Sequence, residues 1–235
     1  MSYFNLDLSG RQPNVDDQQH LTNYTKPYLQ QKLTYTEDGR LVDENGLAVM
    51  MAWEEFIMMK QAETVAKNGG RVLNVGFGMG YIDSYIQSHN ADEHWIIEPH
   101  PDVCKKIIED GWLKKPNVRV LFTRWQEVLE HLPTFDGIYI DTWNESLIPF
   151  FEYAKNLLKP NGVMTFFNNP RQDENGLHMM QHEWDAFQSW ADIQFESFQI
   201  PNIASAEEQR GDGLQYWNAD QKTYWNPIIK IKGNQ

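Results

Sequence analysis

Residues 71–87, RVLNVGFGMGYIDSYIQ, limit the fold more than any other stretch of the chain. An apolar run, RVLNV, passes directly into three glycines at alternate positions, Gly76, Gly78 and Gly80. A helix-compatible segment follows. Glycines at the carboxyl end of a buried strand let the backbone approach a ligand closely, and the next helix offers its unpaired N–H groups there. A dinucleotide or S-adenosylmethionine fits such a turn. Tight packing of strand on helix without a ligand also accounts for it.

The rest of the chain repeats this rhythm. Strand-like runs are RVLNVG, EHWIIE, VRVLF, FDGIYID, GVMTFF, IQFESFQI and TYWNPIIKI, with helical stretches over 80–90, 101–112, 125–132, 145–158 and 177–191. Strands alternating with helices imply parallel pairing, hence a doubly wound α/β sheet. The last two runs have no helix periodicity between them, which suits an antiparallel hairpin at the sheet edge. Upstream, VMMAWEEFIMMKQAETVAKNGG predicts a long helix ending at Gly69-Gly70. Asp38-Gly39 and the ENG at 44–46 are turn signals. The expected organisation is one domain over 49–235, with 1–48 as an extension able to order over a ligand.

The formal net charge of -13 disfavours a nucleic-acid backbone and suits either a cationic substrate or simple solubility. With one cysteine, Cys104, no disulfide can form within the chain, and the residue reads as a small buried hydrophobe. The opening MSYFNLDLSGRQPN has neither a basic nor an apolar targeting run, and no stretch is long and apolar enough to span a membrane. A cytoplasmic protein is expected.

Two acids narrow the ligand. Glu98 ends the second strand, 18 residues after Gly80, where a carboxylate accepts from ribose hydroxyls. The alternative is a helix cap beside Pro99 and Pro101. Asp141 ends the fourth strand, beside the point where strand order reverses in such sheets and ligands bind. The alternative there is a cap ahead of NESL. A nicotinamide-dependent oxidoreductase would call for a second glycine turn or a Tyr-x-x-x-Lys pair. Tyr153 has no lysine at the fourth position after it. The L-K-P-N-G turn into the fifth strand instead looks like the second half of a class I methyltransferase.

VMMAWEEFIM, GGRVLNVGFGMG, DEHWIIE, RWQEVL, FDGIYIDT and LLKPNGVMTFFN resemble, in this order and spacing, guanidinoacetate N-methyltransferase. They resemble still more closely the related fungal type IV arginine methyltransferase, as do YLQQKLTYTEDGRLVDENG and QYWNADQKTYWNP. The resemblance spans residues 27–231; the fungal enzyme's ankyrin-repeat region has no counterpart in these 235 residues. Asn74 and Gln126 stand where guanidinoacetate methyltransferases carry Glu, and both follow the fungal pattern.

The resemblance implies a class I S-adenosylmethionine-dependent methyltransferase with S-adenosylhomocysteine as product. Its acceptor would be a guanidino nitrogen, of arginine (free or in a protein) or of guanidinoacetate. Glu54 and Asp141 would grip that group. The turn at Gly76, Gly78 and Gly80 would hold the methionine part of the cofactor, with Met58 and Asp141 nearby, and Glu98 the ribose. Trp125 and Gln126 would flank the adenine. Asn168 and Asn169, in FNNPR, would hold the rest of the substrate, and Tyr24, Tyr28 and Tyr35 would belong to a cover. His178 and His182 have a metal-ligand spacing on a helix, but the sequence offers no third ligand and no metal is expected. A non-catalytic binding module on the same fold is the rival from a different class.

Overall fold

A computed structural model describes residues 27–143, 146–168, 181–203 and 222–233, and of residues 181–184 the backbone only. Asp16, Asp17, Tyr24, Asn169, His178 and the side chain of His182 therefore lie outside what is described.

Three short strands open the described chain: β1 (Thr34–Tyr35), β2 (Arg40–Val42) and β3 (Ala48–Met51), paired antiparallel in that order. The turn signals at Asp38-Gly39 and 44–46 connect them, with Gly39 and Gly46 at positive φ. Helix α1 (Glu55–Ala66) follows a single 3-10 turn, Ala52–Glu54. The long helix expected from Val49 thus starts six residues later. Val49, Met50 and Met51 extend along β2 instead, and Glu54 folds back so that its Oε1 accepts the Met51 N–H at 2.7 Å. That bond satisfies a backbone donor that the change from strand to helix would otherwise leave open.

The main sheet has seven strands: β4 (Arg71–Val75), β5 (Glu93–Ile97), β6 (Val118–Leu121), β7 (Phe135–Ile140), β8 (Leu158–Phe166), β9 (Ala191–Gln199) and β10 (Thr223–Ile231). Their order is β6-β5-β4-β7-β8-β10-β9, parallel through β8, with β10 antiparallel to both neighbours. Nine residue pairs join β9 to β10, which is the edge hairpin expected. Helices α2 (Tyr81–Ser88), α3 (Pro101–Glu109), α4 (Ile148–Leu157) and α5 (Gln181–Gln188) supply the crossovers. Residues 125–132 do not form the expected helix. They make two 3-10 turns, Trp125–Glu127 and Leu129–His131. Pro133 follows at once, so too few residues remain to offset helix nucleation. Among the described residues no helix is long and apolar enough to cross a membrane.

Strand alternation sorts side chains onto two faces. Leu73, Val75, Ile97, Ile138 and Ile140 pack with α4 and α5, whereas Val72, Ile96 and Tyr139 pack with α1, α2 and α3. On β7, parity therefore sends Tyr139 and Asp141 toward α1. Helix α1 lies close on that strand because Gly137 has no side chain. A Cβ built there would stand 1.9 Å from the Val65 carbonyl oxygen.

Gly137→Ala should accordingly push α1 off the sheet and cost about 1–3 kcal/mol or more of stability, measured by urea unfolding. Unchanged stability would mean that α1 is not held at this contact.

Candidate active site

The glycine turn is tied down from three sides. Gly76, at φ 94°, donates its N–H to the Ile97 carbonyl at 2.9 Å, and a Cβ on it would fall 1.9 Å from the Asp141 carbonyl oxygen. Only glycine lets β4 and β7 end this close together. Glu98 accepts the N–H groups of Phe77 (2.9 Å) and His100 (2.7 Å), so the acid at the end of β5 braces the turn. Burial pushes its pKa up to about 7, against the pull of the backbone N–H groups of Phe77, His100 and Gly78. Above the turn, Tyr35 donates its hydroxyl to the Gly78 carbonyl at 2.9 Å, and Met50 Sδ accepts the Met79 N–H at 3.2 Å. Beneath it, Asn74 donates its amide to both oxygens of Asp83, 2.9 Å each, and His94 Nε2 lies 3.0 Å from the same carboxylate. All three are fully buried.

Two further carboxylates stand at the start of α1 and the end of β7. Glu54 is 4% exposed, at the mouth of α1. Met58 and Gln61 follow it on the same helical face. The Tyr139 hydroxyl lies 3.0 Å from Met58 Sδ and 3.5 Å from Asp141 Oδ2, so its one proton can go to either. Part of Asp141 stays open to the cleft. Even so, with a single long hydrogen bond to set against desolvation, its carboxyl is pushed up to about 7. Gln61 Nε2 donates to the Phe166 carbonyl (2.7 Å) and to the Tyr224 hydroxyl (3.0 Å), which also accepts the Asn168 N–H at 2.7 Å. Burial is the main cause holding protons on Tyr139 and Tyr224. The charges of Asp141 and Glu54 add to it at both.

The structure thus brings Gly76, Gly78, Glu98, Met58, Glu54 and Asp141 to the carboxyl ends of β4, β5 and β7 and the start of α1. Gly80 stands just before α2. Trp125 is a core residue: its ring packs edge-on to Phe150 at 5.5 Å and is 4% exposed, which leaves no open face for the expected adenine. Gln126 is exposed beside it. Asn168 is engaged by its neighbours, donating its N–H to Tyr224 and its amide to the Trp225 carbonyl at 3.1 Å. Tyr28 stacks on Trp143 at 5.6 Å with ring planes 9° apart, and burial followed by Glu98, Tyr35 and Asp141 raises its pKa. Met50, Tyr139, Asp83, Gln61 and Tyr224 were missed from sequence. Parity along β7 and the i, i+4, i+7 spacing from Glu54 along α1 were the available signals.

A doubly wound sheet in this order, with a glycine turn and acids at the ends of its second and fourth parallel strands in sequence, defines a class I methyltransferase fold. The tRNA (m1A58) methyltransferase TrmI from Aquifex aeolicus shares that fold, with a TM-score of 0.53 at 14% identity over 79% of this chain and 71% of that one. The family profile described as guanidinoacetate N-methyltransferase matches residues 22–219, and the chain belongs to that family. Protein arginine N-methyltransferase 2 of Yarrowia lipolytica is 37% identical over 216 residues, 84% of this chain and 44% of that protein. The protein of the same name in Candida glabrata is 42% identical over 174 residues, 69% and 42% of the two chains. The chain thus spans about half the length of the curated relatives it matches, or somewhat less.

The folded protein holds the Asp141 proton more tightly than an unfolded chain, where an aspartate titrates near about 4. Stability is therefore lost as pH rises from that value through about 7. Asp141→Asn should raise the melting temperature of the ligand-free protein at pH 8 and change it little at pH 5, by scanning calorimetry at both. An equal effect at the two pH values would contradict the raised pKa.

Proposed function

We propose that this protein transfers a methyl group from S-adenosylmethionine to a guanidino nitrogen of arginine, free or within a protein. The observation that carries the proposal is that two carboxylates, Asp141 at the end of β7 and Glu54 at the start of α1, both lie close enough to Tyr139 and Tyr224 to add to the burial that raises their pKa values. The names of the relatives favour arginine over guanidinoacetate as acceptor.

The residues present fit the cofactor. The turn at Gly76 and Gly78, whose positive φ angles bring main chain rather than side chain to the strand ends, would take its methionine part, and Glu98 its ribose, since each carboxylate oxygen keeps acceptor capacity beyond the N–H it already binds. When bound, the cofactor supplies an electrophilic methyl on a sulfonium.

The difficulty for the protein is the acceptor. A guanidinium is protonated at any working pH and its charge is delocalised. Glu54 and Asp141 would form charge-assisted hydrogen bonds to it, which fix the plane of the group and turn one nitrogen toward the methyl. Asp141, with a pKa near 7, is suited to take the proton that the nitrogen sheds. The Tyr139 hydroxyl lies 3.5 Å from Asp141 Oδ2 and can donate to the carboxylate before it takes the proton. Positioning of this kind is worth about 7–11 kcal/mol in favourable cases.

Labelled S-adenosylmethionine offered in parallel to arginine, guanidinoacetate and protein extract tests the proposal. Label should pass to arginine, free or in protein. Glu54→Gln and Asp141→Asn should each lower kcat at least about 100-fold while binding of S-adenosylhomocysteine persists. Full activity in Glu54→Gln would remove the two-carboxylate mechanism. Label in guanidinoacetate alone would reassign the substrate.

A further inference from the structure

At the carboxyl end of β7, just past Asp141, stands a buried polar atom with nothing to bind among the described residues. Thr142 Oγ1 is buried and has no hydrogen-bond partner among the described residues. The residue follows Asp141 directly. Its other branch, Cγ2, lies 3.7 Å from the point where a Cβ on Gly76 would stand. The Thr142 methyl thus lies near the first glycine of the turn, just behind the Asp141 carbonyl that closes against it. A hydroxyl removed from water without a partner costs free energy, so such groups are rare in native proteins unless a ligand uses them. This is also the point where strand order reverses, with β5 and β6 on one side of β4 and β7 on the other, and where sheets of this kind open a ligand crevice.

We infer that the Thr142 hydroxyl is a binding group for the α-amino-acid end of the methyl donor. The inference rests on the methyl-transfer function proposed above. A threonine hydroxyl both donates and accepts, so it suits an end that carries an ammonium beside a carboxylate. Asp141 next to it is turned to the guanidino acceptor and Gly76 opposite is turned to the donor. The hydroxyl would thus link the two halves of the reaction through one dipeptide. Threonine rather than serine also fills the wall: the methyl packs toward Gly76 and restricts χ1, which aims the oxygen.

Thr142→Val keeps the shape and removes the oxygen, and Thr142→Ser keeps the oxygen. Binding of S-adenosylhomocysteine and of 5′-methylthioadenosine, which lacks the amino-acid end, is measured by calorimetric titration or displacement for the wild type and both variants. In Thr142→Val, S-adenosylhomocysteine should bind about five- to tenfold more weakly, the scale of one neutral hydrogen bond. Methylthioadenosine should bind as before, the acceptor KM should hold, and Thr142→Ser should stay near wild type. The ligand-free Thr142→Val protein should melt no lower than wild type, since it loses only an unsatisfied group. Equal weakening of both ligands, a rise confined to acceptor KM, or a lower melting temperature without ligand would each overturn the assignment. Failure of the wild type itself to bind S-adenosylhomocysteine would instead overturn the functional proposal beneath it.

Discussion

The site depends first on how closely two strands end. Gly76 and Asp141 meet backbone to backbone, and a methyl group at Gly76 would sit 1.9 Å from the Asp141 carbonyl oxygen. The Asp141 N–H closes the same seam by donating to the Val75 carbonyl at 2.9 Å. The turn proposed for the donor and the acid proposed for the acceptor are therefore parts of a single joint of main chain. Transfer in line needs the two reacting atoms held to a fraction of an ångström, and a joint fixed by main chain holds them better than long side chains would.

The second carboxylate arrives by a different route and depends on a second missing side chain. Helix α1 reaches β7 because Gly137 leaves the Val65 carbonyl room. Farther along the same face, Gln61 fastens the helix to β8 and β10 through Phe166 and Tyr224. Glu54 lies at the near end of that fastened helix, and its bond to the Met51 N–H fixes the point where strand gives way to helix. One residue thus sets the helix start and stands at the site. Local propensity alone would have begun the helix at Val49.

These facts explain which parts of the molecule were legible in the sequence. Strand–helix alternation and the glycine spacing are local patterns, so the sheet, its hairpin edge and the acids at the ends of β5 and β7 could be read directly. The start of α1 could not, because pairing of Val49–Met51 with β2 overrides a helix-compatible composition. Tyr139 and Tyr224 read as ordinary core aromatics. Their hydroxyls matter only once α1, β7 and β10 are brought together, a contact between residues as far as 163 positions apart. Trp125, expected to flank the adenine, is buried against Phe150 of α4, a long-range contact that its place in the motif did not show. Asp83 was passed over because an acid in the first turn of a helix is commonplace. Only the structure shows it receiving the amide of Asn74, so that a buried carboxylate is retained beneath the turn although position 74 no longer supplies one.

That buried carboxylate belongs to a larger pattern with an energetic consequence. Asp83, Glu98, Asp141 and Glu54 all lie at one end of the sheet, in a chain of net charge -13. Burial raises both Glu98 and Asp141 to about 7, and neither forms an ion pair with a lysine or arginine among the described residues. Near neutral pH each is half protonated, and each proton that leaves puts a further negative charge in a poorly solvated site. A cationic guanidinium entering beside Asp141 would reverse that balance. It stabilises the charged form, lowers the pKa of the acid, and gains affinity from the repulsion it relieves. Under the proposed reaction the acceptor gains a methyl cation and sheds one proton, so it stays a cation, while Asp141 takes that proton and loses its charge; the attraction that held the group then weakens at the acid. An acid held near neutrality by its surroundings would grip the cation while charged and loosen it once protonated, and a well-solvated aspartate at the same place would do the first without the second.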